Sequence, residues 1–299
     1  MKVSVIILNY NGLANTLDCL NSLKKCQTQG NQVDFIVIDN NSSDGSKKVL
    51  GTLDNIHLIP NPQNLGYTGG NNTGIRYALR SKPDLILILN NDTLADKNLI
   101  VNLINAARNA DIISPKIYFA KNFEFHKDRY KKDELGRVIW YAGGKIDWSN
   151  VIGRHAGVDE VDKNQYDTRS PVDFATGACM LIKRQVFEKI GLFDEKYFLY
   201  LEDMDFCVRA QKAHFKIIFE PKAILWHKNA GSVGGSGSDL QDYFITRNRL
   251  LFAVKFARLK TKIAVFRQVL TQVADPIKRK ALTDFLTWRF QQGSYKFNK

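Results

Sequence analysis

The sequence has few cysteines and no long apolar run. Its four cysteines, Cys19, Cys26, Cys179 and Cys207, show neither metal-ligand spacing nor a disulfide framework. No hydrophobic stretch approaches the roughly 20 residues that span a bilayer, and the chain enters a predicted strand without the apolar segment of a secretory signal. We therefore expect neither a disulfide-stabilised secreted domain nor an integral membrane protein, and a reducing cytosol fits the composition.

Acidic residues are also in short supply, and the deficit is uneven. The chain has 43 Lys and Arg against 30 Asp and Glu, for a net charge of +13. Residues 251–299 hold 11 basic and 2 acidic residues, a net charge of +9, which leaves only +4 for residues 1–250. The basic character is thus mainly a property of the C-terminal segment.

The length and the apolar content favour one large α/β domain with an appendage, since 299 residues at 44 % hydrophobic content can build a sizeable core. Apolar runs typical of buried strands alternate with helical patterns, as in a parallel sheet with right-handed crossovers. The expected strands lie near 3–8, 33–39, 56–60 and 85–90, and the expected helices near 14–25, 46–51, 68–80 and 97–109.

Polar side chains follow three of these strands where each one ends. They are Asn9, Tyr10 and Asn11 after the first strand, Asp39 at the end of the second, and Asn90, Asn91 and Asp92 after residues 85–89. Ligands of such sheets bind at the carboxyl ends of the strands, and hard oxygen ligands there suit Mg²⁺ or Mn²⁺ together with a diphosphate. Each loop taken alone is better explained as a structural turn, and the functional interpretation depends on their recurrence at three strand ends.

Residues 64–74 form a glycine-rich segment that opens a predicted helix, a place where anions or a ribose can bind. The glycines at 66, 69, 70 and 74 fit neither the P-loop, which ends in Gly-Lys-Ser/Thr, nor the spacing of the dinucleotide fingerprint.

Two further groups of side chains are candidates for catalysis or metal binding. Glu202, Asp203 and Asp205 fall in the first turn of a helix expected to run to about residue 213. They either stabilise the helix dipole or, because like charges crowd there, include a carboxylate with a raised pKa that serves as a general base. His227 follows an apolar strand and is either structural or a ligand for an ion such as Mn²⁺.

Taken in order, these segments resemble the family 2 glycosyltransferases, which have the GT-A fold. Residues 64–74 are typical of the rhamnosyltransferase-like branch. Residues 90–92 lie where the family has its Asp-x-Asp metal motif, and residues 200–205 resemble the motif of the catalytic base. The segments are residues 4–11, 37–46, 64–74, 90–92, 177–182, 200–205 and 226–232.

The resemblance implies an inverting transfer from a nucleoside diphosphate sugar, with dTDP-rhamnose as the leading donor, to a glycan or polyprenyl-linked acceptor. It implies that Asp203 is the base, with Glu202 as the next candidate, and that Asp92 and His227 hold Mg²⁺ or Mn²⁺. The donor-binding residues it implies are Asn9, Tyr10, Asn11, Asp39, Asn64, Gly66, Gly69, Asn72, Asn90 and Asn91.

One residue departs from the family pattern, because Asn90 replaces the first acid of Asp-x-Asp and lowers the negative charge offered to a metal. A further donor contact is expected at Arg247, whose guanidinium is suited to clamping a diphosphate, unless it lies on a solvated helix face.

The expected organisation is a GT-A catalytic domain over residues 1–232 and a basic helical tail over residues 233–299. Residues 119–170, charged and aromatic, form an insert within the catalytic domain that shapes the acceptor region, with a hairpin around residues 140–148.

The tail carries an apolar stripe at helical spacing, flanked by basic residues. A basic amphipathic helix is typical of a surface that contacts anionic lipid, which would place the protein peripherally on the inner face of the cell membrane. The alternatives are docking on the catalytic domain or a homodimer, and we expect no nucleic acid partner. The stripe consists of Phe252, Phe256, Leu259, Ile263, Phe266 and Leu270.

Two other functions remain open on the sequence alone. A nucleotidyltransferase on a similar sheet would release pyrophosphate instead of nucleoside diphosphate. A non-catalytic sugar-binding or lipid-binding module would tolerate the loss of Asp203.

Overall fold

A central mixed sheet forms the body of the protein. The structure is a computed structural model that describes residues 1–229 and 237–296. The strands are β1 (Lys2–Asn9), β2 (Gln32–Asp39), β3 (His57–Pro60), β4 (Leu85–Asn90), β5 (Thr93–Ala95), β6 (Ile112–Phe119), β7 (Ile139–Tyr141), β8 (Gly144–Asp147), β9 (Ile152–His155), β10 (Ser170–Pro171), β11 (Cys179–Lys183) and β12 (Ile217–His227).

Helices cover this sheet and extend beyond it at the C-terminal side. They are α1 (Leu13–Leu23), α2 (Ser46–Leu50), α3 (Gly66–Arg80), α4 (Leu99–Ala106), α5 (Arg184–Ile190), α6 (Glu202–Lys212), α7 (Asp239–Phe256), α8 (Leu259–Leu270) and α9 (Pro276–Leu286).

The strand order is β10-β12-β6-β11-β4-β1-β2-β3, with β5 on β12 and β7 on β6. Strands β1 to β4 pair in parallel, as their unbroken apolar runs predict. Strand β11 lies antiparallel between β4 and β6. The predicted α/β architecture is confirmed, and the carboxyl ends of β1, β2 and β4 meet at one edge of the sheet.

Helix α3 corrects the expectation of a glycine-rich loop at residues 64–74, because it begins at Gly66 and contains most of that segment. A methyl group added at Gly70 would lie 2.4 Å from the Leu8 side chain, and one at Gly74 would lie 2.5 Å from Ile6. These glycines therefore allow the helix to pack closely against β1.

The insert contains a hairpin later than expected, because β8 and β9 pair over residues 144–155, whereas residues 139–141 return to the central sheet as β7. A buried lysine holds the insert to the sheet, since Lys116 Nζ lies 2.8 Å from Asp162 Oδ2 and 2.6 Å from Asp167 Oδ1.

The C-terminal segment is helical, as expected, but its apolar stripe does not form one helix. The backbone is extended at Ala257 and Arg258, which separates α7 from α8. The expected domain boundary at residue 232 and most of the glycine-rich loop near it lie outside the described residues. Within the described ranges, no helix combines the length and apolar character needed to span a bilayer.

Candidate active site

The first turn of α6 carries a largely buried acid pair, of which Asp203 is the more exposed member. Glu202 is buried, and its Oε2 has no hydrogen-bond partner among the described residues. Asp203 Oδ2 accepts a hydrogen bond from the Gly177 N–H at 3.0 Å, and its Oδ1 accepts one from the Met204 N–H at 2.8 Å. The pair therefore sits where the helix dipole favours negative charge but where little water can solvate it.

Burial sets the protonation of both acids. It raises the pKa of the Glu202 carboxyl well above its ordinary value, and the neighbouring Asp203 charge raises it further. Burial also raises the pKa of Asp203, although the N–H donors of Gly177 and Met204 oppose this shift. A carboxylate with a raised pKa is the kind of group that serves as a general base near neutral pH.

The third acid of this turn, Asp205, has a structural role. Asp205 is fully buried, lies 2.6 Å from Arg209 Nε, accepts a hydrogen bond from Tyr197 Oη at 3.0 Å and pairs with Lys255 of α7. It is a structural acid that ties α6 to the C-terminal helices.

A tyrosine that sequence reasoning missed adjoins the acid pair. Tyr67 Oη donates to the Gly177 carbonyl at 2.6 Å. Burial raises the pKa of Tyr67 well above its ordinary value, and the charges of Glu202 and Asp203 add to that shift. It therefore stays protonated and acts as a donor. No sequence signal links Tyr67 to Asp203, which lies 136 positions away.

A second pair lies at the ends of β4 and β12. His227 Nε2 is 3.1 Å from Asp92 Oδ1. Both side chains are buried, and neither ring nitrogen of His227 has a hydrogen-bond partner of good geometry among the described residues.

This pair fits a divalent ion. Ligands at adjacent corners of an octahedron with metal–ligand distances of about 2.1 Å are about 3 Å apart, which matches the Asp92–His227 separation. Carboxylate oxygen with imidazole nitrogen suits Mn²⁺. In the described ranges no third His, Cys, Asp or Glu joins them, so the remaining ligands of such an ion would come from other groups.

Aromatic rings surround His227. The Trp140 ring lies 4.6 Å from the His227 ring and 4.7 Å from that of His155. Burial lowers the pKa of His155 to about 4, so this ring is neutral near pH 7. Periodicity and spacing do not reveal these ring contacts, because they join residues of three different strands, β7, β9 and β12.

The polar groups after β1, β2 and β4 do converge, largely on one another. Asn9 Nδ2 donates to Asp39 Oδ1 at 2.9 Å, and Asn91 Nδ2 donates to Thr16 Oγ1 at 2.9 Å. Asn9 and Asp39 are both buried. Asn11 Oδ1 accepts from the Ser43 N–H at 2.7 Å. This network fixes the shape of the edge of the sheet.

Asn72 makes contacts that do not fit its expected role at the donor. Its amide donates to the Phe193 carbonyl at 2.9 Å and accepts from the Phe193 N–H at 3.1 Å. It is buried and joins α3 to the segment before α6, so a ribose or diphosphate role does not fit its geometry.

The other expected ligands in the glycine-rich segment also serve the fold. Asn64 Oδ1 accepts from Asn40 Nδ2 at 2.8 Å and from the Gly66 N–H at 2.9 Å. A methyl group on Gly66 would lie 2.5 Å from Phe198, and one on Gly69 would lie 2.7 Å from Leu65 Cβ. Close packing therefore explains both glycines.

Arg247 likewise does not fit the expected diphosphate clamp. It is fully buried, and its Nη2 donates to the carbonyls of Lys196 and Tyr197 at 3.2 and 3.1 Å. Its guanidinium is held between α7 and the segment that contains Lys196 and Tyr197, away from solvent.

The Glu202–Asp203 pair and the Asp92–His227 pair are linked through one short segment. The Ala178 carbonyl accepts from the Asn90 N–H at 3.0 Å, at the end of β4. The adjacent Gly177 N–H binds Asp203. The segment before β11 therefore brings the start of α6 to the same edge of the sheet as Asn90 and Asp92.

This site has the sequence pattern of a known family. A family model described as glycosyl transferase family 2 matches residues 4–191. The chain belongs to that family. The match spans the ends of β1, β2 and β4 and the segment before β11, and it ends before Glu202, Asp203 and His227.

Two relatives similar to this chain are named for the transfer of sugars. The chain is 31 % identical over 218 residues to the low-salt glycan biosynthesis hexosyltransferase Agl10 of Haloferax volcanii, covering 72 % of this chain and 63 % of that protein. It is 27 % identical over 218 residues to the N-acetylglucosaminyl-diphospho-decaprenol L-rhamnosyltransferase of Mycobacterium tuberculosis, covering 68 % of each. The chain thus spans a little under two thirds of the length of the haloarchaeal relative.

Solved structures share the fold. GalNAc-T7 with UDP, GalNAc and Mn²⁺ matches at a TM-score of 0.59 and 15 % identity, covering 84 % of this chain and 51 % of that one. The mannosyltransferase PcManGT of Pyrobaculum calidifontis with GDP-Man and Mn²⁺ matches at 0.55 and 14 %, covering 96 % and 82 %. The fold is that of the GT-A glycosyltransferases.

The buried acid pair predicts an unusual pH dependence of stability. A carboxyl whose pKa is raised on folding costs nothing below its unfolded pKa, and it destabilises the fold as the pH rises toward the folded value. We expect Glu202→Gln to raise the melting temperature by about 2–4 °C at pH 8 and to have little effect at pH 4.5. Thermal unfolding at both pH values measures this.

Glu195→Gln is the matched control of opposite sign. Burial would raise the pKa of Glu195, but the Asn72 amide and the Arg76 guanidinium outweigh it, so the net pKa is lowered. This substitution should cost stability at pH 8, and most of that cost should remain at pH 4.5, because the stabilisation is lost only as the pH falls through the lowered folded pKa. A gain for Glu202→Gln that is equal at both pH values would contradict the burial argument.

Proposed function

We propose that the protein transfers a sugar from a nucleoside diphosphate donor to an acceptor hydroxyl with inversion at the anomeric carbon. The observation that carries this proposal is the Glu202–Asp203 pair, in which Asp203 accepts a hydrogen bond from the Gly177 N–H at the edge of the sheet that also bears Asp92 and His227.

Asp203 is the proposed base. Its Oδ2 already accepts from the Gly177 N–H at 3.0 Å, and a carboxylate oxygen has further lone pairs to receive an acceptor proton. The raised pKa makes it a stronger base than an exposed aspartate. Glu202 is more deeply buried than Asp203, and it is the alternative base.

The donor would lie across the carboxyl ends of the parallel strands. Asp39 with Tyr10 and Asn11 borders the end proposed for the base, and Asn90 and Asn91 border the ribose. Asp92 and His227 would hold Mg²⁺ or Mn²⁺, which when bound offsets the charge of the leaving diphosphate. The neutral Asn90 leaves Asp92 as the main carboxylate ligand.

The sugar and the acceptor are inferred from the relatives. The mycobacterial relative is named for transfer of L-rhamnose to a decaprenol-linked sugar, and a relative from Shigella flexneri, 25 % identical over 211 residues, is named dTDP-rhamnosyl transferase RfbF. We therefore propose dTDP-rhamnose as donor and a glycan or lipid-linked glycan as acceptor.

Removal of the proposed base should lower the turnover number and leave donor binding unchanged. We expect Asp203→Asn to lower the turnover number about 10²- to 10⁴-fold while the Kd for dTDP stays within about threefold, because the carboxylate contacts the acceptor and not the donor. Transfer assays with dTDP-rhamnose and calorimetry with dTDP measure the two quantities. Glu188→Gln, an exposed acid on α5 paired with Arg184, is the matched control.

Each rival has its own outcome in the same assays. Full turnover by Asp203→Asn with loss in Glu202→Gln would move the base to Glu202. Release of pyrophosphate would identify a nucleotidyltransferase, and donor binding without any transfer would favour a binding module. A product that keeps the donor configuration would overturn single displacement.

The metal pair can be tested without turnover. We expect Mn²⁺ with dTDP to raise the melting temperature of the protein by about 5 °C, because a ligand that binds only the folded state stabilises it. His227→Ala should lose the part of this shift that depends on Mn²⁺.

The control for this test is His57→Ala, which removes an exposed imidazole from β3. It should keep the full shift. If His227→Ala responds to Mn²⁺ as the unmodified protein does, His227 is not a ligand.

We also propose that α8 contacts an anionic membrane surface, which a polyprenyl-linked acceptor would require. Leu259, Ile263 and Leu270 lie on one helix face and are 72 %, 46 % and 44 % exposed, whereas Val265 and Val269 face the protein. Basic residues flank the exposed face, which matches anionic lipid in charge. They are Arg258, Lys260, Lys262 and Arg267.

Sedimentation with vesicles tests this surface. We expect binding to phosphatidylcholine vesicles that contain about 30 % phosphatidylglycerol, weaker binding in high salt, and at least a tenfold loss in the double variant Leu259→Ala, Ile263→Ala. Val49→Ala, which alters an exposed apolar residue of α2, is the control. Absence of vesicle binding together with a dimer that Leu259→Ala, Ile263→Ala dissociates would show that a second copy covers this face.

A further inference from the structure

A short loop leads the chain into the acid pair, and its backbone is strained. We call residues 196–201 the approach loop. Phe198, Tyr200 and Leu201 have φ values of 64°, 68° and 68°, in the left-handed region that residues other than glycine rarely adopt. Non-glycine residues in this region persist only where surrounding structure holds them, and they cluster at functional sites.

One amide of α7 holds this loop. Asn248 Nδ2 lies within hydrogen-bond distance of the carbonyls of Tyr197, Leu199 and Tyr200, at 2.8, 2.7 and 3.0 Å. The loop conformation turns these three carbonyls toward a single point, and the amide supplies donors there. Asn248 is fully buried, so its amide bonds to the loop are shielded from solvent in the folded protein.

The neighbouring arginine fixes which way the amide points. Arg247 donates from Nε and Nη2 to Asn248 Oδ1, each at 3.1 Å. A guanidinium has only donors, so the oxygen of Asn248 must face it and the NH₂ group must face the loop. Position 248 therefore needs an acceptor on one side and a donor on the other.

The opposite side of the loop rests on the start of α3. The Thr68 N–H donates to the Phe198 carbonyl at 3.2 Å, and the α-carbon of Gly66 approaches Phe198 so closely that a methyl group there would lie 2.5 Å away. The approach loop is thus held between α3, which carries Tyr67, and α7.

We propose that Asn248 is a positioning residue of the transfer reaction. Its amide holds the approach loop in the conformation that presents Glu202 and Asp203 to the substrates in a dry environment. This inference rests on the proposed function for its catalytic consequence, but the effect on the carboxyl groups is independent of turnover.

Other titratable groups around the acid pair do not ionise in the same pH range. Burial raises the pKa of Tyr67, Tyr141 and Cys207 well above neutrality, and burial raises that of Tyr200 to about 12. Asp205 is paired with Arg209 and Lys255. These tyrosines and this cysteine therefore do not contribute to the acidic limb of a pH profile.

Asn248→Asp is the informative variant. It keeps an acceptor for Arg247 and places an oxygen against the three carbonyls, so the loop loses its donor while the helix keeps its anchor. We expect the turnover number to fall at least tenfold, the Kd for dTDP to stay within about twofold, and the acidic limb of the kcat/KM profile to move to lower pH as the carboxyl groups gain water.

A substitution that only destabilises the fold should not move this limb. Ile104→Val on α4, buried away from the loop, is the control for such a loss. If Asn248→Asp lowers activity only in proportion to the folded fraction, with an unshifted acidic limb, Asn248 is merely structural and the inference fails.

A second measurement decides the inference even if no sugar transfer is found. In the unmodified protein Glu202→Gln should raise the melting temperature at pH 8, whereas in the Asn248→Asp background, where water already reaches the carboxyl group, most of that gain should vanish. A gain that persists unchanged in the double variant would overturn the proposal. Absence of transfer with this gain lost would instead overturn the proposed function alone.

Discussion

The structure depends on limiting the access of water to two acids at the start of α6. Desolvation is costly for an ionised carboxyl group, and the opposing contributions are modest: the helix N-terminus and two N–H donors to Asp203. The approach loop adds strain of about 1–3 kcal/mol for each of its three left-handed residues. Hydrogen bonds at about 1 kcal/mol each offset this strain only because Asn248 and Thr68 hold the loop from both sides.

The C-terminal helices are consequently part of the structure that forms the site. Arg247, Asn248 and Lys255 of α7 all contact residues between 194 and 205. The division at residue 232 remains a prediction about the chain, because the boundary itself is not described. The side chains show that residues of α7 are buried against the catalytic region, so removal of this helix would expose Asp205 and release the approach loop.

The sequence predicted local order well and long-range contacts poorly. The apolar runs of β1, β2 and β4 and the helix that starts at Glu202 follow from periodicity and from neighbouring residues. Asn72 and Arg247 were expected at the donor because polar residues in a glycine-rich segment or a helical tail suggest ligands, whereas their partners, Phe193 and Tyr197, lie 121 and 50 positions away. Composition carries no signal for a buried amide whose partners are backbone carbonyls.

The apolar stripe of the tail also shows that the sequence does not predict long-range contacts. Its helical spacing is real, but the extended backbone at Ala257 divides it into two parts with different surroundings. Phe252 is buried and lies beside Trp148 of the insert, whereas Leu259 is exposed on the next helix. A periodic pattern predicts which face of a helix is apolar, but not what that face packs against. Asn248, which holds the approach loop, lies on α7, and the proposed lipid surface lies on α8. Deletion of the tail would remove both, so only point substitutions can separate their effects.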